Sequence, residues 1–181
     1  MSRKLEVLNN DFCPIIKGVL VTVLEKGHEL RPFYTIRTPA EQSKLWRQSR
    51  TTEEIRRVAD RLVHEGADGM ARILLLVGPQ SGRWATNALP GQSWHQWGEA
   101  IDCMVISEFG RAVWSSGHPG YQVYAEEAKK QALVAGFFWK KRDAVHVQYR
   151  SESVRASYTW KEINETMLTR FGRNGDEEPE L

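Results

Sequence analysis

Ser93-Trp94-His95-Gln96-Trp97-Gly98-Glu99-Ala100-Ile101-Asp102 sets a histidine and an aspartate around a glycine, and a second fragment, Asp143-Ala144-Val145-His146, adds another histidine with a carboxylate ahead of it. Histidine and aspartate are good zinc ligands, and zinc in hydrolases usually takes three protein ligands and leaves a fourth position for water. His95, Asp102 and His146 form such a set, with Asp143 left over for proton transfer. The flanking residues say how the set could be held. Ala100–Ile106 and residues 144–149 read as strands, along which side chains alternate between faces. Asp102 then faces away from Ile101 and Cys103, and His146 shares a face with Gln148, opposite Val145, Val147 and Tyr149. Two neighbouring antiparallel strands, with Gly98 supplying the backbone freedom to turn His95 back beside Asp102, could carry all three ligands. The expected fold is therefore α+β: a small, mainly antiparallel sheet carrying a zinc site, with helices packed on one side.

Outside this centre, Ile15, Ile16, Val19, Leu20, Val23 and Leu24 recur at helical spacing and predict an amphipathic helix ending near Gly27. Residues 33–37 read as a strand, placing Arg37 at its end. Thr38-Pro39-Ala40-Glu41 is a capping box with proline at the first helical position, and it puts Gln42, Leu45 and Trp46 on a helix. Thr51-Thr52-Glu53-Glu54 and Thr159-Trp160-Lys161-Glu162 repeat that logic for helices running toward Gly66 and to Phe171. The apolar run 70–77 is assigned to helix on its alanine and leucine content. Residues 78–91 read as a long ordered loop, of the kind that often walls a site. Residues 121–135 predict a helix closed by Gly136.

Hydrophobic residues make up 41% of the 181 and charged residues 27%, the balance of a soluble globular chain that needs no disulfides to bury a core. One catalytic domain over residues 1–172 is expected, followed by an acidic, disordered tail at 173–181. The tail holds Asp176, Glu177, Glu178 and Glu180, so the net charge of +2 hides a more basic body that could be drawn to an anionic polymer, a cell-wall polymer or equally a nucleic acid. No basic run or glycine-aromatic signature supports nucleic-acid binding. Cys13 and Cys103 form no CxxC pair, which speaks against a disulfide framework and a thiolate zinc site. The apolar stretches are too short for membrane insertion, and the start lacks the apolar core of a secretion signal, so accumulation in the cytoplasm is expected. Of the seven tryptophans, Trp84, Trp94 and Trp97 sit near the motif, as core or as a substrate platform. His28, His64 and His118 read as surface or hydrogen-bonded residues, His118 being the one whose loop could rim a cleft.

The pattern Ser93-x-His95-x-x-Gly98-x-Ala100-x-Asp102 with Asp143-x-x-His146 resembles the signature of the zinc peptidases that cut peptidoglycan stem peptides. These include D-alanyl-D-alanine carboxypeptidases, D,D-dipeptidases and the L-alanyl-D-glutamate endopeptidases of phage endolysins. The wording from Arg31 to Gln42 and from Val77 to Cys103 is most similar to the endolysin branch, and the resemblance spans Leu30 to Tyr149. It implies one Zn2+ per chain on His95, Asp102 and His146, and amide hydrolysis with Asp143 as general base and acid. Arg37 is the candidate to bind a substrate carboxylate or steady the oxyanion. Ser93 and Gln42 would help hold the peptide.

The expected partner is a peptidoglycan stem peptide, met by a monomer that waits in the host cytoplasm and reaches the wall through holin-type lesions. Two alternatives stand beside this reading. One is a D-alanyl-D-alanine carboxypeptidase or dipeptidase of wall metabolism; the other is a non-catalytic, zinc-containing wall-binding module. The HExxH helix of other zinc peptidases is absent, and Cys103, facing away from Asp102, makes a poor nucleophile.

Overall fold

A computed structural model describes residues 2–177. In chain order its helices are α1 (Phe12–Glu25), α2 (Pro39–Arg47), α3 (Thr52–His64), α4 (Asp68–Leu76), α5 (Trp94–Trp97), α6 (Pro119–Lys130), α7 (Val154–Ser157) and α8 (Trp160–Phe171). The strands are β1 (Glu29–Tyr34), β2 (Ala100–Ile106), β3 (Ala112–Val113), β4 (Val134–Ala135) and β5 (His146–Gln148). The fold is α+β, as the alternation in the two motif strands implied. By backbone contacts the chain divides into two units, residues 1–36 with 97–151 and residues 37–96 with 152–181. Among the described residues no helix is long and apolar enough to cross a membrane.

The first unit holds the whole sheet, in the order β1-β2-β5-β4, with β3 pairing onto β2; every pairing is antiparallel. Its core lies on one face. Phe12, Ile16, Val19 and Val23 from α1, with Tyr121, Tyr124, Ala125 and Ala128 from α6, cluster with Ile101, Cys103, Val105 and Val147 from the sheet. Burying an aliphatic or aromatic side chain of this kind contributes about 1.5–3 kcal/mol, so this shared layer is what commits the strands to one register. The Tyr121 hydroxyl reinforces it, donating to the Val113 carbonyl at 2.7 Å and accepting from the Val105 amide at 3.3 Å.

Two boundaries differ from the sequence expectation. The first strand is Glu29–Tyr34, not 33–37, because Glu29, Leu30, Arg31 and Pro32 pair with Ile106, Val105, Met104 and Cys103, and the register breaks at a bulge between Pro32 and Tyr34. The helix expected over 121–135 is Pro119–Lys130. His118 caps its start, Nδ1 accepting from the Gly120 amide at 3.1 Å. Past its end, Ala132 takes a φ of 59°, and Val134 and Ala135 pair with Gln148 and Val147. His118 is thus spent on a cap, its ring edge-on to His28 at 5.9 Å.

The second unit is helical. All three Thr-x-x-Glu boxes form, each with the threonine side chain accepting from the glutamate amide and the glutamate reaching back. A cap of this kind is worth about 1 kcal/mol. Helix α4 packs against α2, α3 and α8 and buries Met70, Ala71, Ile73 and Leu74. The loop after α4 is ordered by donors from α2 and the turn behind it: Gln42 Nε2 donates to the Ala88 carbonyl at 2.7 Å, and Arg50 Nη2 to that of Thr86 at 2.8 Å. The segment 173–177, expected to be disordered, is held by backbone bonds from Ala40 to the Gly175 carbonyl (2.9 Å) and from Glu177 to that of Phe171 (3.2 Å). Residues 178–181 of the expected tail lie outside the described residues.

Candidate metal centre

Antiparallel pairing sets Asp102 on β2 directly opposite His146 on β5. Their flanking residues, Ile101, Cys103 and Val147, are fully buried in the core layer, so both polar side chains are turned to the other face of the sheet. There the His146 Nδ1 lies 3.0 Å from Asp102 Oδ1, and its Nε2 lies 3.1 Å from Gln148 Oε1. Burial pulls the imidazolium of His146 down, but the hydrogen bond and charge of Asp102, the Gln148 oxygen and the charge of Asp143 outweigh it, and the net shift is upward. The surroundings of this ring thus stabilise positive charge.

His95 sits on the short helix α5, with 2% of its surface exposed. After α5, Gly98 takes a φ of 72°, where a side chain would be strained, and its carbonyl accepts from the Asn9 amide at 2.9 Å. The chain then enters β2. One ligand atom each from His95, Asp102 and His146 all lie within 4.8 Å of one another. Two imidazoles and a carboxylate, with no thiolate, fit a zinc ion.

Asp143 lies in the turn before β5 and is exposed. Its amide donates to the Gly136 carbonyl at 2.9 Å and its own carbonyl accepts from the His146 amide at 3.3 Å, so backbone bonds tie it to a candidate ligand. In the second unit, Arg37 Nη1 donates to Gln42 Oε1 at 3.1 Å. Gln42 is fully buried and its amide nitrogen is used on Ala88, so it orients Arg37 and the loop together. Ser93 precedes α5, its carbonyl accepting from the Gln96 amide at 2.9 Å and its own amide donating to Gln96 Oε1 at 3.3 Å.

Three contributors were not singled out for the site by sequence. Gln148 shares the face of His146, a signal the alternation already contained. Trp139, 41% exposed, sets its ring 5.1 Å from that of His146. Gly136 carries the bond to Asp143. Glu99, between Gly98 and Ala100, is buried and engaged by Arg150 through Nε at 2.6 Å and Nη2 at 3.2 Å. Leaving such a buried charge without its partner costs about 3–5 kcal/mol, which marks the pair as structural. Trp94 and Trp97 are buried, whereas Trp84 is 43% exposed.

Cys103 lies on the core face opposite Asp102, and burial pushes its thiol up to about 12. At pH 8 it is therefore a neutral, inaccessible thiol. Iodoacetamide should leave Cys103 unmodified in the native protein and label it after denaturation, as read by peptide mass mapping. Rapid native labelling would place the residue on the wrong face of β2.

The model of the VanY D-alanyl-D-alanine carboxypeptidase family matches residues 7–158. The chain belongs to this family. It is a peptidase of the zinc-dependent, peptidoglycan-directed kind, and the paired Asp102 and His146 fall within the matched stretch. Among solved structures, the crystal structure of an L,D-carboxypeptidase DacB from Streptococcus pneumonia is similar at 21% identity, covering 92% of this chain and 78% of that one, with a TM-score of 0.38. A search of curated proteins finds no significant match.

Proposed function

We propose that this protein is a zinc-dependent endopeptidase that hydrolyses the L-alanyl-D-glutamate bond of peptidoglycan stem peptides, acting as a monomeric phage endolysin. The observation that carries the chemistry is the His95, Asp102 and His146 group, with ligand atoms within 4.8 Å of one another and Asp143 bonded through the backbone to His146. The bond specificity rests on the wording of Arg31 to Gln42 and of Val77 to Cys103. In the endolysin reading the enzyme waits in the host cytoplasm and meets its substrate once the membrane is breached.

A zinc ion held by these ligands supplies Lewis-acid activation of water and of the scissile carbonyl. The chain's own residues do the rest. Asp143 takes the proton of the attacking water and returns it to the leaving amine, which is what its exposed carboxylate in a backbone-anchored turn is suited to. Arg37, fixed by Gln42, binds a substrate carboxylate or the developing oxyanion with paired donors. Ser93, at the start of the helix bearing His95, bonds the peptide backbone.

The family's own description favours a second reading, removal of a terminal D-alanine. Digestion of purified peptidoglycan followed by mass spectrometry separates the two. The endopeptidase is expected to clear the suspension and expose new D-glutamate or D-isoglutamine amino termini, with the glycan strands uncut. Free D-alanine without loss of turbidity would establish the carboxypeptidase instead, and new reducing ends would refute peptidase action altogether.

A further inference from the structure

The loop between β4 and β5 begins and ends on one peptide group. Gly136 follows β4 directly, and its carbonyl accepts two backbone bonds, from the Trp139 amide at 3.1 Å and from the Asp143 amide at 2.9 Å. The Asp143 carbonyl then accepts from the His146 amide, so a continuous run of backbone bonds leads from Gly136 to a candidate metal ligand. Glycine at this position is not required by backbone conformation, since its φ lies outside the left-handed region. It is required by space. A Cβ built there would stand 2.6 Å from the Asp143 carbonyl oxygen, 3.1 Å from Asp143 Cβ and 3.2 Å from Trp139 Cε3. The nearest of these is backbone, which cannot swing aside as a flexible side chain can.

We infer that Gly136 is a positioning residue for the acid–base step: its bare Cα and doubly used carbonyl set where Asp143, and the Trp139 ring beside His146, stand. This inference rests on Asp143 acting as the proton carrier. A methyl group at 136 would push the Asp143 peptide, and its carboxylate with it, off by several tenths of an ångström while removing none of the site's functional groups. A displacement of about 1 Å in a reacting group can cost on the order of 10²-fold in rate.

The test is a double-mutant cycle on the zinc-loaded, full-length enzyme with peptidoglycan as substrate, using Gly136→Ala, Asp143→Ala and the pair. Gly136→Ala is expected to keep one zinc per chain and a KM near that of the parent while kcat falls at least about ten-fold. In the Asp143→Ala background the same change should cost less than about two-fold, because the group it displaces is already gone. A residue that only supports the fold would give equal losses in both backgrounds, and that additivity overturns the inference while leaving Asp143 in its role. Undiminished activity of Asp143→Ala overturns both.

If Gly136→Ala does not fold, amide hydrogen exchange of the unaltered protein decides. The Trp139 and Asp143 amides should exchange at least about ten-fold more slowly than those of Lys140 and Arg142, which make no such backbone bond among the described residues. Equal exchange across the loop would mean that the Gly136 carbonyl does not hold its two ends.

Discussion

Asp143→Ala is expected to keep its zinc and its fold while hydrolysis of peptidoglycan falls by about 10² to 10⁴, the range that a positioned general base and acid contributes. The substitution removes an exposed carboxylate and its charge near His146. The bonds that hold the turn run through the backbone, from the Asp143 amide to Gly136 and from the His146 amide to the Asp143 carbonyl, and alanine makes them equally well. Asp143→Asn should behave alike, since the amide retains the shape and cannot take the proton. The loss should appear in kcat and kcat/KM together, the pattern of an interaction made in the transition state. Metal analysis, a thermal melt and turnover on the same preparation separate the effects. Full activity with full metal would demote Asp143 to a turn residue; loss of metal would make it a ligand.

His146→Ala should have the other large effect, by a different route. It removes one of three candidate ligands and the ring whose Nδ1 lies 3.0 Å from Asp102 and whose Nε2 faces Gln148. Asp102 and Gln148 would be left on the sheet face without it, a cost of about 1–3 kcal/mol for each polar group whose bond is not replaced. Elemental analysis should show zinc falling from one per chain to near none, and hydrolysis should vanish with it. The melting temperature should fall as well, but the variant should still fold, because the core face under β2 and β5 is untouched. An unchanged zinc content would show that the ligand set is wrong.

How far local rules reach can be seen element by element. The three Thr-x-x-Glu boxes place the starts of α2, α3 and α8 where the sequence puts them, since a cap is satisfied within four residues of itself. The apolar run after Ala67 is helical, as its composition suggested. The start of α6 was legible too: Pro119 after His118 is the proline-first pattern, and the residues 121–135 expectation missed it. Its end was not. Leu133, Val134 and Ala135 could prolong a helix by propensity, but pairing with Val147 and Gln148 in the sheet draws Val134 and Ala135 into β4. The same competition moved β1, whose limits follow from its partner β2 and from a bulge after Pro32.

The sequence by itself determined the chemistry: which residues can bind a metal, that Asp102 and His146 each oppose a packed face, and that Gly98 must bend the chain between His95 and β2. Those conclusions need only side-chain type and the two-residue period of a strand. Tertiary structure alone decided that Asp102 stands directly across from His146 and that Arg150 pairs with Glu99. It also decided that one carbonyl, on Gly136, holds both ends of the loop bearing Trp139 and Asp143. The first two join residues far apart in the chain, whose meeting is set by how the sheet and the helices α1 and α6 bury a common core, and no window of sequence encodes that register.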